Sequence, residues 1–260
     1  MYMGIIGHSG EDKMNIAHLY GNTLSWILEH PGHETPTLEF IKEYYSWCES
    51  LSDNSNWIKP DIYYASFAHP LKAIVSMITG IPFELLSSHD TKCSYIINIK
   101  TFEYKPNDGK EEIISPEKLF RQRNKKLSLE YDDKQELPDC WMFLNDYVIY
   151  FGYYLCRNYL GKDVWVNVER ISNKNFPPND GYRIYPDIRS MSEYQYIKDM
   201  GGVLIRINQS KEANSVINDY SLFNVDVDID MGWYSDVRGL YDEIYSNCYE
   251  LCKKSNSLII

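Results

Sequence analysis

Gly7 and Lys13 stand near the start of the chain, in the run Met3-Gly4-Ile5-Ile6-Gly7-His8-Ser9-Gly10-Glu11-Asp12-Lys13-Met14-Asn15-Ile16-Ala17. A phosphate-binding loop of the pattern GxxxxGK[ST] wants a glycine, four residues, then Gly-Lys-Ser/Thr. Its main-chain amides cradle phosphates, its lysine reaches them, and its hydroxyl holds magnesium. Gly7 and Lys13 keep that spacing. Asp12 takes the place of the second glycine, and no hydroxyl residue follows the lysine. The cation and the glycine turn are kept, and the metal-holding hydroxyl is missing.

Such a turn works only between a buried strand and a helix. Residues 3 to 7 read as a short buried strand. From Met14 to Glu29 the apolar residues Ile16, Ala17, Tyr20, Leu24, Ile27 and Leu28 recur at helical spacing. Further candidate strands are Asp61–Ala68, Tyr182–Ile188 and Val203–Asn208, with Asn224–Asp230 alternating as an edge strand would. Helices are expected between them: from Pro36 to Leu51, from Leu71 to Thr79, a helical turn at Phe83–Ser87, one to Met200 capped by Ser192, and Tyr234–Lys253. Alternation of this kind predicts an α/β fold, a parallel sheet with helices on both faces. Ligands bind at the carboxyl ends of the strands in such sheets. Three candidate ends carry polar residues: Gly7 to Lys13, Ser66 to Lys72, and Asp187 to Arg189. Phosphoryl transfer needs cations, amide donors and a metal-holding oxygen. Lys13, Lys72, Arg157 and Arg189 are candidate cations, and Asp187 is the candidate for a metal or its water shell.

Residues 94–139 break the alternation. Tyr95–Tyr104 is strand-like, Asn107-Asp108-Gly109 signals a turn, and Glu111–Ile114 returns, which predicts an inserted β-hairpin. Ser115-Pro116-Glu117 then starts a helix. It leads into the most basic run of the chain, Arg121, Arg123, Lys125 and Lys126, and a polar stretch at 127–139. Both a mobile lid carrying arginines and a solvated helix end fit. Cys140–Leu160 reads as one long core helix ended by Gly161. The chain is expected to form one domain over residues 1–260, with 94–139 as hairpin and lid-like insertion.

With 260 residues the chain can bury a substantial core. A formal charge of -11 and a pI near 5.0 disfavour nucleic acid as a partner. Six cysteines at 48, 93, 140, 156, 248 and 252 form no CxxC pair and read as free thiols of a reducing cytosol. No basic-then-apolar leader and no apolar run of membrane length is visible, so no membrane partner and a cytoplasmic location are expected.

Four stretches together resemble one family, the phage-type deoxynucleoside monophosphate kinases, a branch of the P-loop kinases. The family loop GxxxxGKDTxA aligns with Gly7 through Ala17 without a gap. A stretch like SFADPLK stands as Ser66-Phe67-Ala68-His69-Pro70-Leu71-Lys72. One like GTExGRxxxGxDxWVN stands as Gly152 to Asn167, with Arg157, Gly161, Asp163 and Trp165 in place. One like DVRFPNEAEAIKxxGGxxIRI stands as Asp187-Ile188-Arg189, Glu193, Ile197, Gly201-Gly202 and Ile205-Arg206-Ile207. The resemblance implies a P-loop kinase fold. It implies phosphoryl transfer from ATP, with Mg2+, to a deoxynucleoside monophosphate in the cytoplasm, inside the host cell for a phage-encoded chain. By resemblance Lys13, Arg157, Arg189 and Asp187 would serve catalysis. Gly7, Gly10, Asp12, Asn15, Lys72, Asp163 and Trp165 would line the nucleotide site. Structural roles stay open for two of them: Trp165 as core, and Arg157 as a partner of Asp163 or Asp187. Small-molecule nucleotides are the implied ligands, and a homodimer is left open.

The departures are specific. Asp12 brings a carboxylate where phosphate should approach, and Met14-Asn15 replaces Asp-Thr, an amide for a hydroxyl. His69 replaces an aspartate, and Tyr153-Tyr154 replaces Thr-Glu. Two readings follow: an active nucleoside monophosphate kinase, or an inactive relative that binds nucleotides, senses them or engages a protein partner, for instance as an inhibitor.

Overall fold

The computed structural model describes residues 1–7, 10–51, 62–127, 139–175, 181–208, 223–230 and 237–254. In chain order the elements begin with β1 (Tyr2–Gly7), α1 (Gly10–Glu29), α2 (Leu38–Leu51) and β2 (Ile62–Tyr64). There follow α3 (His69–Thr79), α4 (Phe83–Ser87), α5 (His89–Ser94), β3 (Tyr95–Asn98), β4 (Tyr104–Pro106), α6 (Pro116–Leu127) and β5 (Trp141–Phe143). Then come α7 (Leu144–Ile149), a π-helical stretch (Tyr150–Arg157), α8 (Asn158–Leu160) and α9 (Val164–Asn175). The last are β6 (Tyr182–Ile188), α10 (Met191–Asp199), β7 (Val203–Asn208), β8 (Val227–Asp230) and α11 (Val237–Lys254). The chain divides into two compact units, residues 1–66 with 173–260, and residues 67–172.

The first unit is built on a five-stranded, all-parallel sheet in the order β2-β6-β1-β7-β8. Its inner strands are near-continuous apolar runs, as strands covered on both faces must be. Side chains alternate along β1. Met3 and Ile5 join Ile16, Tyr20 and Leu24 of α1 and Leu240, Ile244 and Cys248 of α11 in one core. Gly4 faces the other way. A Cβ there would lie 2.8 Å from Leu204 Cδ2 and 3.2 Å from Ile197 Cγ1 of α10. Helices therefore cover both faces, and the expected α/β architecture is present. Cys248 and Cys252 lie buried on one stripe of α11 as free thiols.

Strand β6 carries a kink that decides the site. Gly4 is paired with Tyr185 and Ile6 with Ile188, so three residues of β6 span two of β1. Tyr185 stacks on Tyr2 and meets Tyr196 of α10, and Ile188 also faces α10, beside Gly4 and Ile197. Strict alternation would put those two residues on opposite faces. The extra residue at Pro186–Asp187 turns Asp187 onto the α1 face instead. Proline has no N–H to give a ladder and inside sheets concentrates at such bulges.

The second unit holds a three-stranded antiparallel sheet, β4-β3-β5, among helices. Two expectations change here. The hairpin turns at residues 99–103, before Asn107-Asp108-Gly109, because the Asn98 side-chain oxygen accepts from the amides of Lys100 (2.9 Å) and Thr101 (3.1 Å). Phe102 takes the left-handed conformation (φ 60°) that closes it. Cys140–Leu160 is not one helix. Trp141–Phe143 pairs with β3, and the helix that follows is π-wound over eight residues. The basic run lies on α6, where Arg121 pairs with Glu117 at 2.5 Å. The rest of the lid expectation, at 128–138, lies outside the described residues.

Candidate functional site

The ends of β1 and β6 are level, with Ile6 beside Ile188. Helix α1 begins at Gly10, so Lys13 sits in its first turn, whose main-chain N–H groups have no acceptors within the helix. His8, Ser9 and the side chain of Asp12 lie outside the described residues. A Cβ on Gly7 would come 3.0 Å from the Ile207 carbonyl oxygen and 3.6 Å from Lys13 Cδ. A side chain at position 7 would crowd the backbone of β7 at Ile207, while the lysine stem stands at an ordinary contact distance.

Lys13 is 3% exposed. Its Nζ donates to Asp187 Oδ1 at 2.5 Å. The other carboxylate oxygen, Oδ2, accepts from Arg189 Nε and lies 2.5 Å from a second Arg189 nitrogen. Burial pushes the Asp187 carboxyl up, but Arg189 and then Lys13 outweigh it and hold the group below the usual carboxylate range. The result is a compact triad of two cations and one carboxylate at the carboxyl end of the two central strands.

The turn carrying Arg189 is fixed by a residue whose structural part sequence reasoning missed. Glu193 is 4% exposed. Its carboxylate accepts from the Arg189 amide at 2.7 Å and the Ser190 amide at 3.1 Å, while Ser190 Oγ caps α10. Ser190, not Ser192, is therefore the helix cap. The signal was present as Ser-x-x-Glu over 190–193, the spacing of a capping box.

Gly7, Lys13, Asp187 and Arg189 come together in the first unit. Gly10 opens α1, and Asn15 points to solvent two residues beyond Lys13. Lys72, Arg157, Asp163 and Trp165 belong to the second unit. Lys72 lies in the first turn of α3, its amide bonded to the Ala68 carbonyl. Arg157 ends the π-helical stretch with its guanidinium 5.8 Å from the Tyr153 ring centre. Asp163 precedes α9, its carbonyl accepting from Asn167. Trp165 is buried and donates its indole N–H to the Gly152 carbonyl at 3.2 Å. Tyr153 is exposed, whereas Tyr154 packs on Phe120 with ring centres 5.0 Å apart.

Magnesium bound with a nucleotide usually takes one or two carboxylates, the rest of its shell being water and phosphate. Asp187 fits that modest demand. No group of three or more acidic, histidine or cysteine side chains that could hold a metal unaided occurs among the described residues. No helix among them is long and apolar enough to cross a membrane. The chain matches no family model and no curated protein.

Proposed function

We propose that the protein is a nucleoside monophosphate kinase-like phosphotransferase that moves the γ-phosphoryl group of ATP to a deoxynucleoside monophosphate. The observation that carries this reading is the meeting of Lys13 and Asp187 at the carboxyl ends of adjacent central strands. The sheet order also supports it. The adjacent central strands β1 and β6 lead into helices on opposite faces, α1 and α10, and such a switch point at the strand ends is where ligands of open α/β sheets bind. The order differs from the 3-2-1-4-5-6 order of dinucleotide-binding sheets.

Each residue has a part in this reading. The N–H groups of the first turn of α1, which have no acceptor within the helix, and the positive end of its dipole face the donor phosphates. Lys13 leaves Asp187 to neutralise them. Arg189, held by Glu193, stabilises the charge that spreads over the transferring phosphoryl oxygens. Asp187 would hold magnesium through its water shell, and the ion would screen the phosphate charge. Positioning and electrostatics are what this chemistry asks of a protein.

A second reading has its own support. Asn15 is exposed and supplies no hydroxyl beside Lys13, which fits a nucleotide-binding protein that does not turn over. Purified protein mixed with magnesium-ATP and each dNMP, assayed for ADP, separates the two. Slow turnover that disappears in Lys13→Ala is expected. No turnover with any dNMP, from protein that still binds ATP, would leave the non-catalytic reading standing.

A further inference from the structure

The helical stretch Tyr150–Arg157 takes no part in the Lys13–Asp187–Arg189 triad, and its π winding runs over eight residues. A π-helix bonds each amide five residues back instead of four, and it occurs mostly as short bulges at functional positions. So long a stretch needs a cause, and its neighbours supply one. The Trp165 indole N–H donates to the Gly152 carbonyl at 3.2 Å. A side chain that enters the ladder from outside competes with the amide four residues on, which α winding would use. Leu71 of α3 lies over Gly152, where an added Cβ would meet Leu71 Cδ2 at 2.5 Å. Glycine is also a poor α-former. At the far end the Asn158 side chain donates to the Tyr154 carbonyl at 2.8 Å, while its own amide turns back to Leu155. The carbonyl set loose where the winding ends is thereby satisfied.

We propose that this stretch is a winding switch, held in the π state by Trp165, Leu71 and Asn158, and that its other state is α-helical. α winding carries each successive residue further round the axis. Beyond Gly152 the side chains would turn progressively towards the side on which Tyr153 now stands exposed. Cys156, 8% exposed and buried like Gly152 four residues earlier, would swing outward. Arg157, whose guanidinium now stands over the Tyr153 ring, would be aimed elsewhere. Trp165 is thus a positioning residue for Arg157. One neutral hydrogen bond shifts an equilibrium by about two- to tenfold, enough to tip two windings of the same ladder. All of these residues belong to the second unit, so the switch does not depend on whether Lys13 binds phosphate.

The test is iodoacetamide labelling of the full chain, read cysteine by cysteine by mass spectrometry, in wild type and in Trp165→Phe. The substitution keeps an aromatic ring and removes the indole N–H. In wild type Cys156 should react more slowly than the exposed Cys93. In the variant Cys156 should react at least about threefold faster than in wild type, with Cys140 and Cys248 unchanged. An unchanged Cys156 rate overturns the proposal. So does a rise of Cys140 by the same factor, which marks general loosening of the second unit. A wild-type measurement covers a variant that fails to fold. The Trp165 indole proton, followed by NMR in deuterium oxide, should exchange at least about threefold more slowly than a solvent-exposed indole. Exchange as fast as that of an exposed indole would show that no lock exists.

Discussion

Dismantling the Lys13–Asp187–Arg189 triad one member at a time should give a steep and unequal set of losses. Lys13 is 3% exposed and its ammonium meets Asp187. Asp187→Ala leaves that charge buried without its carboxylate, and breaking a buried pair in this way costs ~3–5 kcal/mol. Lys13→Met keeps the apolar stem and removes the charge. The Asp187 side chain left behind is 24% exposed and keeps Arg189, so the loss should be only about 1–2 kcal/mol. The Arg189 side chain is 64% exposed, and Arg189→Gln should cost at most ~1 kcal/mol. The double variant Lys13→Met/Asp187→Ala should recover part of the Asp187→Ala loss, because no charge is left stranded. The assay is urea unfolding followed by circular dichroism. Equal losses for Lys13→Met and Asp187→Ala, or a double variant no better than their sum, would refute the picture of a buried, coupled pair.

Acid should unmask Asp187 directly. Its folded-state pKa is lowered, so its stabilisation is complete above the unfolded value of about 3.9 and drains away as pH falls through the folded value; Asp187→Asn should lack that acid-dependent component in a pH series of urea melts. Glu193→Ala removes the acceptor for two amides and half of a capping box, and should lower stability by about 1–2 kcal/mol and weaken binding of magnesium-ATP through Arg189. Gly21→Ala would drive a Cβ into Tyr64 Oη, an overpacking that should cost ~1–3 kcal/mol, and Tyr64→Phe in the same chain should return part of it in the same melts.

Much of the sheet is legible in the sequence because its inner strands are mostly apolar runs with turn residues at their ends. Tyr182–Ile188 and Val203–Asn208 have those bounds in the structure. The acidic alternation near the end of the chain marks an edge strand, with Asp228 paired to Arg206 of β7. What resists reading is local geometry set by a single side chain. The turn at 99–103 contains no glycine, and the Asn98 side chain supplies the bonds that a glycine turn would advertise. The π-winding over Tyr150–Arg157 leaves the apolar spacing helix-like, so periodicity does not betray it. For the candidate site, the residues and their shared rim of strand ends were legible, but not the direct pairing of Lys13 with Asp187. Lys13 and Asp187 lie 174 positions apart, and strict alternation in β6 would have sent Asp187 to the far face. Pro186 was the clue, since a proline inside a strand that is not at an edge marks a bulge.

The central claim, that Lys13 at the head of α1 binds nucleotide phosphate, is tested most directly by equilibrium titration of magnesium-ATP into wild type and into Lys13→Met of matched secondary structure. Wild type should bind saturably, and the variant should lose at least about tenfold in affinity. Equal affinity for the two proteins would contradict it.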